Sequence, residues 1–165
     1  MSSSYRGRLL GVSTDRVAAV RRIFELVNEA TRSRRLPREE AAEIVDPGFR
    51  LDASRYVFNP RVYQGVDGLL EFVDGILELW EAVEIHPQEL LEAGEKIVAL
   101  IVLRGRGREG IEVSRSGVNL LTVRGDKVVE WIVGMDEHEA MRELVGDRAS
   151  EEAGRKHEIR SREPS

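Results

Sequence analysis

A chain of 165 residues, 41% hydrophobic and 33% charged, has single-domain length and can bury a core without covalent staples. It contains no cysteine, which excludes a disulfide framework, a thiol nucleophile and a zinc-thiolate site; its three histidines, His86, His138 and His157, are too scattered for a His-rich metal site. The net charge of -5 is uneven, with nine arginines against three acids in residues 1–38 and four bases against fourteen acids in residues 39–103, yet the basic stretch lacks the interleaved aromatics that stack on nucleic acid bases.

Residues 1–12 read as a loose arm. No sustained apolar run follows Arg6 and Arg8, so no secretory leader is expected. From Ser13, Thr14 and Asp15, which offer capping oxygens, Val17, Val20, Phe24 and Val27 recur at helical steps and predict an amphipathic helix that fades near Arg32. A second, short helix begins at Leu36 and Pro37, with Pro37 at its first position, and Pro47 and Gly48 are expected to stop it after Asp46.

Phe49 to Ala53 alternates apolar and polar residues and predicts a strand with Asp52 on its polar side. Tyr56, Phe58 and Asn59 to Pro60 form a loop. Val66, Leu69, Leu70, Phe72, Val73, Ile76, Leu77 and Trp80 predict a third, well-buried helix, on which Gly68 and Gly75 suggest close packing.

The period then changes to strand-like. Val83 to Leu90 alternates, with Pro87 restricting it to an edge or a bulge. Lys96 to Leu103, Ile111 to Arg124 and Lys127 to Met135 read as three further strands in a meander, with a turn at Gly125 and Asp126. Trp131 is expected to share a face with Val129, Val133 and Met135. Asp136 to Glu139 opens a last helix by a capping box, and Gly146 ends it. The segments group as a 1–12 arm, a 13–146 domain and a charged 147–165 tail, and their order predicts an α+β fold. No run approaches the roughly 18 apolar residues of a membrane span. A cytoplasmic protein that binds neither membrane nor nucleic acid is expected.

Gly105, Gly107 and Gly110 match the spacing of a dinucleotide fingerprint after a strand. That motif needs a helix to begin there, and the β-branched, alternating residues after Ile111 supply none. The glycines therefore read as a hairpin. His138 and Glu139 lack a second histidine at helical spacing, since position 142 is Arg, so they do not form a metalloprotease site. No metal or cofactor is expected. Ser114 and Ser116 lack a paired base.

Several local strings, VDPGFRL from Val45, YQG from Tyr63, GEKIV from Gly94, RGRG from Arg104 and RGDKVVEW ending at Trp131, resemble the nuclear transport factor 2-like superfamily, particularly its SnoaL-like branch, across about Thr14 to Val145. The resemblance implies a cone: a curved, mainly antiparallel sheet wrapped around three helices, with a short C-terminal helix, a pocket between them, and a homodimer through the sheet. In members similar to ketosteroid isomerase it implies a carboxylate base where Asp52 falls and a neutral donor where Asn119 falls, while their helix-one tyrosine is replaced by Ile23 or Phe24. The Arg and Asp pair of limonene epoxide hydrolase-like members has no counterpart between Ala99 and Leu103, nor has their further Asp near Val133.

Two readings stay open. In the first, a small apolar molecule binds in the pocket against Tyr56, Phe58, Trp131 and Val133, with Asp52 as base and Asn119 as oxyanion donor for cofactor-free isomerisation or cyclisation. In the second, the apolar wall is core and the protein is a non-catalytic dimeric ligand-binding or protein-interaction module. Asp52 as a solvated strand-end carboxylate and Asn119 as a satisfied amide are the plainer assignments for those two residues.

Overall fold

Thr14 opens the first helix with its side-chain oxygen, which accepts from the Val17 N–H at 3.1 Å. From there a computed structural model describes residues 14–56 and 60–146. The arm, Phe58 and the charged tail lie outside the described residues.

The described elements are α1 (Asp15–Ser33), α2 (Arg38–Ile44), β1 (Val45–Asp52), β2 (Val62–Gln64), α3 (Gly65–Leu79), β3 (Trp80–Ala93), β4 (Lys96–Gly107), β5 (Glu112–Arg124) and β6 (Lys127–Ile132), followed by α4 over residues 137–146. The strands form one curved, open sheet in the order β2-β1-β6-β5-β4-β3. Every pairing is antiparallel except β1 with β6. This is the α+β fold expected from the segregation of helices and strands, in the cone form that the family resemblance implies.

The sheet separates two apolar clusters. On its inner face, Ile97, Ala99 and Ile101 of β4, Leu121 and Val123 of β5, and Phe49 and Leu51 of β1 pack against Val20, Phe24 and Val27 of α1 and Leu69 and Val73 of α3. On its outer face, Val98, Leu120 and Ala93 pack under Ala140 and Leu144 of α4. The period-two pattern of each strand thus feeds both layers. Asp136 caps α4 as expected, accepting from the Glu139 N–H at 3.2 Å.

β3 is the outer strand on its side of the sheet, and its free edge is closed by a helix side chain. Asn28 Nδ2 donates to the Ile85 carbonyl at 2.9 Å, while the Ile85 N–H donates to Asn28 Oδ1 at 2.7 Å. The Thr31 hydroxyl donates to the Val83 carbonyl at 2.8 Å. One amide thereby imitates a neighbouring strand at Ile85 and pairs both of its edge-facing backbone groups, which would otherwise be open to another chain. Further along β3, Pro87 sits where the register with β4 shifts, so this strand has both the edge position and the irregularity that the proline demands. Arg34, in a left-handed conformation at the end of α1, reaches across to the carbonyls at the end of α3, with Nη2 2.6 Å from Leu77 O.

Three local expectations are corrected. Pro47 and Gly48 do not end α2: Val45 is already extended and starts β1, and the two residues fall where the register between β1 and β6 slips. Pro37 precedes α2 rather than forming its first turn. Trp131 does not share its face with Val129 and Met135. β6 slips between the pairs Thr122–Glu130 and Val123–Val128, so Val128 joins Trp131 and Val133 in the inner core. Gly134, at φ +71, then breaks the alternation and delivers Met135 to the outer cluster. The hairpin reading of the glycine run holds: Gly110, at φ +82, closes the turn, and the Gly107 N–H donates to the Ile111 carbonyl.

Candidate functional site

The inner end of the cone is filled by aromatic edges. Phe24 from α1 and Phe72 from α3 both meet the Trp131 ring edge-on, at centroid distances of 5.5 and 5.9 Å, and Tyr63 continues the cluster onto Phe72 at 5.6 Å. The buried indole needs an acceptor, which Asn119 provides: Trp131 Nε1 donates to Asn119 Oδ1 at 3.1 Å. Because an indole N–H can only donate, the amide is fixed with its oxygen toward the tryptophan and its Nδ2 turned away.

Among the described residues Nδ2 has no hydrogen-bond partner, although Asn119 is only 3% exposed. No buried side-chain nitrogen or oxygen is both sealed off and unpaired among those residues. The Nδ2 group is therefore not sealed off, and no described residue takes its two N–H bonds.

Strand register defines what else shares the face of Asn119. β4 and β5 pair without a shift from Lys96–Thr122 to Arg106–Glu112, so Val113, Arg115, Gly117, Asn119 and Leu121 form one row on the inner face of β5. Pairing with β6 stops at Leu120, which leaves the Val113 to Gly117 part of the row without that neighbour. The Tyr56 ring lies near this end against Gly134, 3.5 Å from where a β-carbon would stand. Tyr56 is 41% exposed; desolvation of its hydroxyl raises its pKa, against an opposing pull from Arg115.

Asp52 occupies the other side of the sheet. Leu51 is paired with Trp131 and Asp52 with Ile132, so the alternation that directs Leu51 inward directs Asp52 outward. There it accepts from the Ser54 N–H at 2.9 Å and the Ser54 hydroxyl at 2.5 Å. Arg50 and Arg55 stand 3.5 and 3.6 Å away, and they in turn pair with Glu130 at 2.9 Å and with Glu139 of α4 at 3.2 Å. Burial alone would raise the Asp52 pKa, but the two Ser54 hydrogen bonds and the two guanidinium groups outweigh it and hold the carboxyl below its usual range. A carboxylate so stabilised is a poor proton acceptor near neutral pH.

The geometry thus joins Trp131, Val133 and Asn119, sets Tyr56 near the same end, and does not bring Asp52 to them. Arg115 was not among the expected site residues. Counting back in twos from Asn119 along β5 would have found it. Among the described residues no grouping of three or more His, Asp or Glu side chains suits a metal ion, and no helix is long and apolar enough to cross a membrane. Two open surface grooves, of about 450 and 460 Å³, lie between α1 and α2 and across the β3-β4-β5 end of the sheet; neither is lined by Asp52, Asn119 or Trp131.

Comparison with known proteins agrees with this architecture. The family model of the SnoaL-like domain matches residues 20–131. Among curated proteins none matches the sequence. Among solved structures, an NTF2-like protein of unknown function from Burkholderia pseudomallei superposes with a TM-score of 0.60 at 21% identity, over 80% of this chain and 98% of that one. TerC co-crystallised with polyporic acid gives 0.59 at 17% identity, over 81% and 99%. A putative SnoaL-like polyketide cyclase from Jannaschia gives 0.59 at 19% identity, over 79% and 91%.

Proposed function

From the premise that this chain belongs to the SnoaL-like domain family, we propose that it binds a small, largely apolar molecule in the open end of the cone beyond Asn119. The observation that carries this reading is the Asn119 amide: Trp131 fixes its oxygen, and its Nδ2 is not sealed off and has no partner among the described residues. A pre-oriented N–H pair against apolar walls is what a carbonyl, enolate or hydroxyl oxygen of an otherwise apolar ligand requires. Val133 and the rim of Trp131 form the wall, and Tyr56 flanks the entrance. The co-crystallised TerC offers a precedent for a small molecule held on this fold.

Binding is better supported than isomerase or cyclase chemistry. Proton transfer needs a base beside the ligand, and the Asp52 carboxylate belongs to the outer face. The test is a thermal-shift screen with steroid, terpenoid and polyketide-like compounds. At least one class should raise the melting temperature by mass action, and Asn119→Ala should reduce that rise. A flat response across all three overturns the reading.

A second reading, a dimeric module without catalysis, has its own observation. The Phe24, Phe72 and Trp131 rings occupy the inner cone, while the outer face carries a half-buried apolar row of Leu100, Val118 and Ile132 beside α4. Sedimentation equilibrium tests it, with Val118→Arg expected to yield a monomer; a monomeric wild type removes it.

A further inference from the structure

We propose that the open end of the cone selects an organic acid, with Arg115 receiving the anionic group and Asn119 a second oxygen of the same apolar molecule. This deepens the small-molecule reading and rests on it. Arg115 and Asn119 stand four residues apart in one unshifted row of β5, about 14 Å between α-carbons at a strand rise of about 3.4 Å per residue. The residue between them in that row is Gly117, which contributes no side chain. A β-carbon there would meet Ile101 Cγ1 at 3.5 Å, so the lane between Arg115 and Asn119 is flanked by an apolar side chain.

The flanking chemistry favours an anion. Residues paired with the Arg115 end of the row are apolar or lack a side chain: Leu103 opposite Arg115, Ile101 opposite Gly117, and Gly105 opposite Val113. Arg115 has no carboxylate partner among the described residues, so its charge is not already neutralised by one of them. Arg115 is exposed at this end of the sheet, and its guanidinium presents a planar fork suited to a carboxylate or a delocalised enolate. Its field also reaches the Tyr56 hydroxyl at the entrance. Across the lane, the Asn119 Nδ2 hydrogens suit a carbonyl or hydroxyl oxygen.

A matched pair of probes separates this inference from the reading beneath it. 2-Naphthoate and 2-naphthalenemethanol share an apolar body and differ in charge, and their affinities are measured by fluorescence titration at neutral pH. The expected result is binding of both, with the anion favoured about tenfold, the factor given by one charge-assisted hydrogen bond. Arg115→Gln should abolish the preference by bringing the affinity for the anion down to that for the alcohol, and Arg115→Lys should retain part of it. Gly117→Val should weaken both compounds alike by filling the lane. Equal binding of both by the wild type overturns the inference and leaves the pocket reading standing. A preference that survives in Arg115→Gln, or affinities untouched by Gly117→Val, overturns the assigned location. Binding of neither compound overturns the inference together with the pocket reading.

Discussion

Trp131 donates its indole N–H to the Oδ1 of Asn119 at 3.1 Å, and both residues lie in the inner face of the sheet with almost no exposure. This bond orders the end of the aromatic cluster and decides which half of the asparagine amide remains for a ligand. Asn119→Leu should destabilise the protein by about 1–3 kcal/mol, the cost of leaving a buried donor unpaired. Trp131→Phe removes that donor, so the double variant should be less destabilised than the sum of the two singles. Urea unfolding of all four proteins measures the coupling, and strict additivity would show that the bond contributes nothing.

Asp52 gives a pH signature. Its folded pKa is lowered, so it stabilises the fold above the ordinary carboxylate value of about 4, and this contribution disappears as pH falls through its lower folded value. Asp52→Asn should therefore be less stable than the wild type at pH 7 and should show a shallower loss of stability on acidification. Chemical denaturation across that range checks it, and ligand-induced stabilisation at pH 7 should be unchanged. Loss of ligand binding without loss of stability would return Asp52 to the site.

The edge of β3 depends on Asn28. Asn28→Ala leaves the Ile85 N–H and C=O without their side-chain partner, and a cost of about 1–3 kcal/mol is expected for the orphaned backbone groups. Amide hydrogen exchange should accelerate at Ile85 more than at Leu121 in the middle of the sheet. Uniform acceleration at both would indicate a global effect instead.

How far the sequence could be read differs between fold and site. Element type was legible because its signals are local: the capping oxygens of Thr14 and Asp136, the helical spacing from Val17 to Val27, and the alternation of Ile97 to Leu103 each report a period. Pro87 pointed to an edge or a bulge, and the strand has both. What failed depended on single-residue offsets. The slip at Val129 and the positive φ of Gly134 each turn a side chain to the other face, so Trp131 lost two expected neighbours. Asp52 and Asn119 are paired only by the resemblance to ketosteroid isomerase-like members, which implies a base and a donor at their positions. Nothing in the sequence states that β1 lies parallel beside β6 in the register that places Leu51, not Asp52, next to Trp131. Arg115 carries no local signal of its own, and only the unshifted register places it in line with Asn119.

Two glycines of α3 should respond in opposite directions to the same substitution. At Gly68 a β-carbon would lie 2.8 Å from the Tyr63 carbonyl carbon and 3.2 Å from its α-carbon. Backbone cannot swing aside as a flexible side-chain tip does, so α3 would have to move off β2, and Gly68→Ala should destabilise by about 1–3 kcal/mol. At Gly75, also within the helix, no atom lies within 4 Å of the added carbon. There the substitution only removes unfolded-state freedom and improves helix propensity, so Gly75→Ala should stabilise by about 0.5–1 kcal/mol. Thermal unfolding of the two variants measures both signs. A loss of stability at Gly75 would mean that its face of α3 is covered in solution, and tolerance at Gly68 would mean that α3 and β2 pack less closely than the 2.8 Å approach requires.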